Sequence, residues 1–311
     1  MEINRNTIPL IVIIGPTASG KSSYAITLAK EYNGEIVSAD SRQVYRGLDI
    51  GSGKVTSDEK GGIPHHLLDV VHPGERFTVA DYKQLAQPII REIYERGKLP
   101  FLVGGSSLYV DAVVENYLIP NSDYDENYRE MLQRKDIPEL LKELHIVDPV
   151  LYESVDKQNK RRIMRGLEVF HLSGIPLSQQ KKKGEHLYNS LIIGVSVDRA
   201  ELYAKIDSRV DSRIKEGMVD EVERLLSRGV STMWLKNLGL EYRAITEFLC
   251  DSDRSDTSLH EHIQKLKYAI HDFARRQLVW YRRNKSIQWC PSIDEMRRCI
   301  DAFLLSQKLF Q

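Results

Sequence analysis

The sequence is poor in cysteine and has no long apolar segment. Its three cysteines, Cys250, Cys290 and Cys299, form no C-x-x-C pair, which argues against a cysteine zinc site and a disulfide framework and fits free thiols in a reducing cytosol. The first aliphatic run, Leu10–Ile14, is too short for a signal peptide or a membrane span. We therefore expect a cytoplasmic protein without a membrane partner.

The sequence also has no excess of charge of one sign. Lys plus Arg and Asp plus Glu number 44 each, so any surface that binds nucleic acid must be a local patch. The chain of 311 residues, 41% hydrophobic and 28% charged, is long enough for two globular domains.

A phosphate-binding loop is the clearest motif. The stretch GPTASGKS, from Gly15 to Ser22, follows the apolar run and precedes a predicted helix from Lys21 to about Lys30. Its glycines let backbone N–H groups point at phosphate oxygens, Lys21 adds a mobile charge, and the Ser22 hydroxyl is placed for Mg²⁺. The loop indicates a di- or triphosphate ligand, but it identifies neither a nucleotide nor a reaction.

Further aliphatic runs predict the rest of the fold. Strands are expected at Glu35–Ala39, Leu99–Val103 and Leu191–Val197, separated early in the chain by helix-length segments. This alternation predicts an α/β fold with a parallel sheet covered on both faces. No such run occurs between, so we predict a core of residues 1–115 and 189–311 and an inserted all-helical domain of residues 116–188.

One helix of the insert carries a basic face. In NKRRIMRGLEVF, Ile163, Leu167 and Phe170 fall on one side of a helical wheel and Arg161, Arg162 and Arg165 on the other. A solvated helix face explains the three arginines equally well. Lys157, Lys160 and Lys181–Lys183 nearby favour a surface that faces a polyanion.

The last long helix is predicted from about Leu259 to Arg283. Leu266, Phe273 and Trp280 recur every seven residues, which favours core packing, and arginines repeat on another side. Ser258, at the end of a polar loop, is a candidate N-cap for this helix.

Polar residues follow the second and third predicted strands. Asp40 and Ser41 come after the second, and the third runs into Gly104, Gly105 and Ser106. Ligands bind at the carboxyl ends of such strands, so these groups should lie beside the phosphate loop. For Asp40 three roles remain open from the residues alone: helix cap, water-mediated Mg²⁺ contact, or general base.

Seven stretches together resemble the tRNA dimethylallyltransferase (tRNA isopentenyltransferase) family in order and spacing. They are GPTASGKS, ADSRQVYRGLDIGSGK, PHHLLDVVHP, LVGGSSLYVDAV, RRIMRGLEVFHLSG, AKIDSRVDSRIKEGMVDEVERLL and FARRQLVWYRR. The resemblance implies a P-loop NTPase-like core that binds dimethylallyl diphosphate instead of a nucleoside triphosphate. It also implies Mg²⁺ as cofactor and prenyl transfer to the N6 amine of the adenosine 3′ to the anticodon, by a monomer bound to the anticodon stem-loop.

The resemblance assigns roles residue by residue. Catalytic roles fall to Asp40, as the general base, to Ser106 and to Arg209, which is matched to a leaving-group arginine. The diphosphate contacts are Gly15, Pro16, Thr17, Ala18, Ser19, Gly20, Lys21 and Ser22, with Ser22 on the metal ion. The tRNA contacts are Asp40, Ser41, Arg42, Gln43, Tyr128, Arg161, Arg162, Ile163, Met164 and Arg165.

Two departures from the family pattern affect these assignments. Ser106 stands where the family more often has Thr, and the segment that usually contains a Gly-Tyr pair is NLGLEYRAI here, which leaves the residues from Gly239 to Arg243 without assigned roles. Without the resemblance, an ATP-dependent small-molecule or nucleotide kinase would be the leading interpretation. A GTPase-like switch is disfavoured, because neither Asn-Lys pair belongs to an Asn-Lys-x-Asp motif.

Overall fold

The computed structural model describes residues 7–119, 125–180 and 183–308. The chain divides into two compact units, one of Met1–Val114 with His186–Gln311 and one of Glu115–Glu185. The sequence-based boundaries were 116 and 188. Lys181 and Lys182, part of the predicted basic cluster, lie outside the described residues. In the described ranges, none of the helices combines the length and apolarity that crossing a bilayer requires.

The larger unit is built on a parallel sheet with the order β3-β2-β4-β1-β5-β6. The strands are β1 Ile8–Ile14, β2 Gly34–Ser38, β3 His65–His66, β4 Leu99–Gly104, β5 Tyr188–Val195 and β6 Gln288–Cys290. The central strands are continuous apolar runs because their side chains are buried on both faces. The predicted α/β class, with a parallel sheet flanked by helices, is confirmed.

Helices of the larger unit connect and cover these strands. They are α1 Lys21–Glu31, α2 Val79–Glu95, α3 Ser107–Val114, α8 Arg199–Lys215, α9 Met218–Ser227, α10 Thr232–Leu238, α11 Leu240–Cys250, α12 Asp256–Tyr281 and α13 Ile293–Lys308. The N-cap of α12 is Ser255, whose side chain accepts the N–H of Ser258. The prediction of Ser258 as the cap was wrong, because the helix begins at Asp256 and Ser258 lies within its first turn.

The sheet order places the predicted site residues together. Strand β4 lies between β2 and β1, so the carboxyl ends of all three strands meet at one edge of the sheet. The approach is very close, since a Cβ added at Gly104 would lie 2.0 Å from the carbonyl oxygen of Ala39. The phosphate loop leaves β1 at this same edge and leads into α1.

The smaller unit consists mainly of four helices around a core of its own. These are α4 Glu126–Arg134, α5 Ile137–Val147, α6 Pro149–Ser154 and α7 Lys160–Ser173. The core contains Leu132, Leu140, Leu144, Ile163, Met164 and Leu167. The two ends of the unit are joined, because the Asn116 carbonyl accepts the Gly184 N–H at 2.9 Å and the Asn116 side chain donates to the Glu185 carbonyl at 2.8 Å.

Candidate active site

The phosphate loop has the tight backbone that its sequence predicts. Gly20 adopts φ +83°, a left-handed conformation that favours glycine, and Ala18 also has a positive φ of 61°. Gly15 has no room for a side chain, because a Cβ there would lie 2.6 Å from Ser19 Oγ. Ser19 is buried, and its hydroxyl has no hydrogen-bond partner within the described part of the chain. An unpaired buried hydroxyl inside a loop of this shape fits a ligand that accepts hydrogen bonds.

Lys21 is the first cation of the site. It is half-buried, and its Nζ donates to the carbonyl of Pro16 at 3.3 Å. Burial, and after it the nearby positive charge of Arg209, lower the pKa of Lys21 to about 8. A lysine that is costly to keep charged in the free protein gains most from an anion beside it. The surroundings of Lys21 therefore favour binding of an anion such as a phosphate group.

Two arginines of α8, one turn apart, lie on the other side of the loop. Arg209 Nη2 is 3.5 Å from the Gly53 carbonyl oxygen, and Arg213 Nη1 donates to Gly51 at 3.1 Å and to the Glu241 carboxylate at 3.0 Å. Burial, and then the charge of Arg213, lower the pKa of Arg209 to about 10. The Arg213 charge is balanced by Glu241, which leaves Arg209 as the cation available to a leaving group.

Asp40 follows β2 and is half-buried. Its Oδ1 accepts the backbone N–H of Arg42 at 2.9 Å and that of Gln43 at 3.4 Å, so one oxygen stabilises the turn that follows. Its Oδ2 has no hydrogen bond within the described residues. The helix-cap role considered from the sequence is not present, because a turn and not a helix follows Asp40; Oδ1 stabilises that turn, and Oδ2 remains available for chemistry.

Ser106 is joined to the segment after Asp40. Its Oγ accepts the backbone N–H of Ser41 at 3.0 Å and lies 3.3 Å from the Ser41 hydroxyl. The ends of β4 and β2 are thus connected through a side chain that needs only a hydroxyl group. This contact does not depend on the methyl group that threonine would add.

The next two predicted tRNA contacts are partly engaged within the protein. Arg42 donates to the Leu238 carbonyl at 3.2 Å and lies over the ring of Phe273, 5.7 Å from its centroid. Gln43 donates to the Gly53 carbonyl at 3.1 Å. Both residues hold the walls of the site in place, whatever further contacts they make.

Three adjoining cavities share Lys21. The largest, about 440 Å³, is also lined by Asp40, Ser106, Phe273 and Trp280. One of about 430 Å³ lies on the side of the loop that carries Ser22 and Arg209. A small chamber of about 60 Å³ touches Lys21, Asp40 and Arg209 together. The phosphate loop thus lies beside the Asp40 carboxylate and the cavity that Phe273 and Trp280 line.

Sequence reasoning missed four buried polar residues around this site. Arg213, Glu221, Glu241 and Gln277 are each at most 6% exposed, although residues of these types are mostly found at protein surfaces. Glu221 accepts the N–H groups of Asp49, Ile50 and Gly51 at 2.7–3.0 Å and the Tyr242 hydroxyl at 2.9 Å. The available signal was their position inside family-like stretches, which gave no role to any of them.

The basic helix of the insert is α7, and it corrects several predictions. Arg161 and Arg162 are exposed, as expected, whereas Arg165 is half-buried and lies 3.8 Å from Glu168. Ile163 and Met164 were predicted tRNA contacts, but their side chains are buried in the core of the insert. We therefore reassign these two side chains to packing that orients the arginines.

Other members of the predicted basic cluster are engaged locally. Lys160 donates to the backbone carbonyls of Gln133 and Lys135, and Lys183 pairs with Glu115. Tyr128, another predicted tRNA contact, stacks on His171 with ring centroids 3.8 Å apart. In the described ranges Lys157, Arg161, Arg162 and Lys183 are exposed, whereas Lys160 and Arg165 are half-buried. Lys160 and Lys183 of the predicted basic cluster thus have partners within the protein.

Comparisons with known proteins identify the family of this chain. The family model described as IPP transferase matches residues 43–284. A tRNA dimethylallyltransferase of Pelotomaculum thermopropionicum is 39% identical over 310 residues, covering 95% of this chain and 98% of that protein, and one of a Roseiflexus species is 42% identical over 289 residues, covering 92% and 93%. The crystal structure of a full-length tRNA isopentenylpyrophosphate transferase from Bacillus halodurans superposes with a TM-score of 0.72 at 37% identity, covering 97% of this chain and 98% of that one. The chain therefore belongs to the tRNA dimethylallyltransferase (IPP transferase) family of enzymes.

Proposed function

We propose that this chain transfers the dimethylallyl group of dimethylallyl diphosphate to the N6 amine of the adenosine 3′ to the anticodon in tRNA. The observation that carries the proposal is the meeting of a phosphate loop and a carboxylate. Lys21 and Asp40 line both the 440 Å³ cavity and the small chamber beside it. The names of the relatives support the same reaction.

Asp40 acts on the attacking amine. The lone pair of an adenine amine is delocalised into the ring, so the amine attacks well only if its proton leaves as the bond forms. In the proposed step the N6–carbon bond forms, the carbon–oxygen bond to diphosphate breaks, and the proton passes to Asp40 Oδ2. Oδ1 stays bonded to the Arg42 N–H and holds the carboxylate in orientation.

The leaving diphosphate is stabilised by Lys21, Arg209 and the loop N–H groups, because negative charge grows on it as the bond breaks. Ser22 lines two of the cavities together with Arg209, which supports its hydroxyl as the contact to a metal ion. Mg²⁺ fits this donor set, since it is usually held by few protein ligands and by substrate phosphates. When bound, Mg²⁺ would neutralise diphosphate charge.

The adenosine must leave its stack to reach Asp40, at a cost of roughly a few kcal/mol. Phe273 and Trp280 line the cavity on the side of Asp40 and offer apolar surface to the base. Arg161 and Arg162 of α7 supply contacts to the tRNA backbone, which offset that cost.

The test is nucleoside analysis of tRNA incubated with the protein, Mg²⁺ and dimethylallyl diphosphate. The expected product is N6-dimethylallyladenosine at the position 3′ to the anticodon, formed without ATP. Turnover of ATP with phosphate transfer to a small molecule, and no modified adenosine, would replace the proposal with the kinase alternative.

We expect donor binding to weaken as the pH rises through the pKa of Lys21. That pKa is about 8 in the free protein, and a bound diphosphate raises it, so binding above this pH must take up a proton. The affinity should be constant below about pH 7 and fall by up to about tenfold per unit above about pH 8. Calorimetry with dimethylallyl diphosphate in buffers of different ionisation enthalpy measures the proton uptake.

The matched variant is Lys21→Arg, because arginine stays charged throughout this range. The affinity of this variant should lack the fall above about pH 8 that titration of Lys21 causes in the wild-type protein. Identical pH profiles for the two proteins would show that Lys21 does not titrate on binding.

The basic face of α7 predicts a salt effect. Replacing Arg161, Arg162 and Arg165 with Gln should weaken tRNA binding and leave donor binding unchanged. Each lost phosphate contact should flatten the slope of log affinity against log salt by roughly 0.7 to 0.9. Arg165 should contribute least, because it faces Glu168.

Arg134→Gln is the control for this variant, since Arg134 is a highly exposed arginine of α4 in the same unit. It should leave the slope unchanged. If the triple variant also leaves the slope unchanged, the three arginines form only a solvated helix face.

We further propose that the protein works as a monomer in the cytoplasm. Cys250, Cys290 and Cys299 are free thiols, which fits a reducing compartment. Light scattering at micromolar concentration tests the monomer, and a molecular mass of twice 35.8 kDa would exclude it.

A further inference from the structure

Gln277 connects the phosphate loop to the end of β4. Its Oε1 accepts the backbone N–H of Thr17 at 2.9 Å, and its Nε2 donates to the Gly105 carbonyl at 2.8 Å. The side chain is only 6% exposed, so the amide is desolvated and held at both ends. It comes from α12, the helix that also brings Phe273 and Trp280 to the 440 Å³ cavity.

The contact with Thr17 removes one donor from the phosphate loop. A loop of this type binds phosphates through successive backbone N–H groups, and each phosphate needs donors to replace its water. The Thr17 N–H already has an acceptor inside the protein. The Ser19 N–H is also engaged, since it donates to the Pro16 carbonyl at 3.3 Å, so the loop donors that remain include those of Gly20, Lys21 and Ser22.

The side of the loop that Gln277 covers faces the cavity that contains Asp40. Thr17, Gln277, Gly105 and Asp40 all line the 440 Å³ cavity. The groups are close together, because a Cβ added at Gly105 would lie 2.8 Å from Gln277 Nε2 and 3.6 Å from Lys21 Nζ. A phosphate chain that extended from the loop into this cavity would meet the Asp40 carboxylate and an amide whose oxygen is bonded to the Thr17 N–H and whose nitrogen is bonded to the Gly105 carbonyl.

We infer that Gln277 is a specificity-determining residue that limits the site to two phosphates. By taking the Thr17 N–H, it removes a backbone donor of the loop at the entrance to the cavity, where the Asp40 carboxylate also opposes further negative charge. The entrance then suits an uncharged allylic chain, which needs no hydrogen bonds. This inference rests on the proposed function, because it concerns the donor of that reaction.

Binding of inorganic diphosphate and tripolyphosphate to the whole protein tests the inference. The more highly charged tripolyphosphate should bind more tightly to a simple cluster of cations. We expect the wild-type protein to prefer diphosphate instead. Gln277→Ala frees the Thr17 N–H and should shift the ratio of the two dissociation constants toward tripolyphosphate by about tenfold, the size of one hydrogen bond to a charged group.

Gln264→Ala is the matched control, because it removes the same side chain type from an earlier turn of α12 and should leave the ratio unchanged. If Gln277→Ala does not fold, Gln277→Asn serves, since the shorter amide cannot reach Thr17 and Gly105 together, and its ratio should shift in the same direction. An unchanged ratio in a folded variant, or a wild-type preference for tripolyphosphate, would overturn the inference. Prenyl transfer to tRNA by the wild-type protein is scored separately, so failure of the proposed function is recognised independently.

Discussion

Replacing Asp40 with Asn should lower the rate of prenyl transfer by about 10²–10⁴ while barely changing the affinity for tRNA or donor. The asparagine Oδ1 can still accept the Arg42 N–H that Asp40 accepts at 2.9 Å, so the turn is preserved. The amide cannot take the amine proton. Single-turnover transfer at saturating tRNA, donor and Mg²⁺ measures the effect, with both affinities determined separately.

The same measurement separates the three roles that the sequence left open. A residue that only caps the turn would stay active as Asn, because asparagine caps as well as aspartate. A water-mediated metal contact would show as a raised Mg²⁺ requirement that excess ion rescues. Asp58→Asn is the control, because Asp58 is exposed to solvent, and this variant should transfer the prenyl group at the wild-type rate.

The second large effect is on stability and concerns Glu221. Replacing it with Ala should lower the free energy of unfolding by about 3–5 kcal/mol, because three backbone N–H groups, of which that of Gly51 is buried, and the buried Tyr242 hydroxyl lose their acceptor. Urea denaturation followed by circular dichroism measures the change. Glu223→Ala, an exposed glutamate of the same helix, should cost less than about 0.5 kcal/mol.

Glu221→Ala should also weaken donor binding. The loop that Glu221 holds includes Gly51, and its neighbour Gly53 contacts Arg209. Loss of the carboxylate lets this loop move away from the arginines. A loss of stability below about 1 kcal/mol would show that the loop holds its conformation without Glu221.

The sequence predicted the parts of the fold that depend on local pattern. Continuous apolar runs marked the central strands because parallel strands are buried on both faces, and the phosphate loop was recognised from the spacing of Gly15, Gly20 and Lys21. The helical wheel of α7 placed Ile163 on the apolar side, where it lies. Assigning tRNA contacts from a contiguous motif included Ile163 and Met164, since a motif ignores which way each side chain points.

The remaining parts of the site depend on contacts between distant positions. Gln277 meets Thr17 across 260 positions of the chain, and Glu221 meets Asp49 across 172. No local periodicity carries such information. Buried polar residues are also rare for their types, so a single sequence gives little reason to expect Arg213 or Glu241 inside the protein.

The joined ends of the insert bear on how such a protein can evolve. Asn116 bonds to both Gly184 and Glu185, so the 71 residues of the smaller unit begin and end at nearly the same point. Because its ends are adjacent, the smaller unit connects the two segments of the larger unit as one short loop would. The entropy of closing a loop rises only slowly with its length. A domain with its own core and adjacent ends can be lengthened, shortened or exchanged between lineages without changing the register of the sheet. The α7 surface that we propose to contact tRNA can thus diverge at little cost while the chemistry stays fixed.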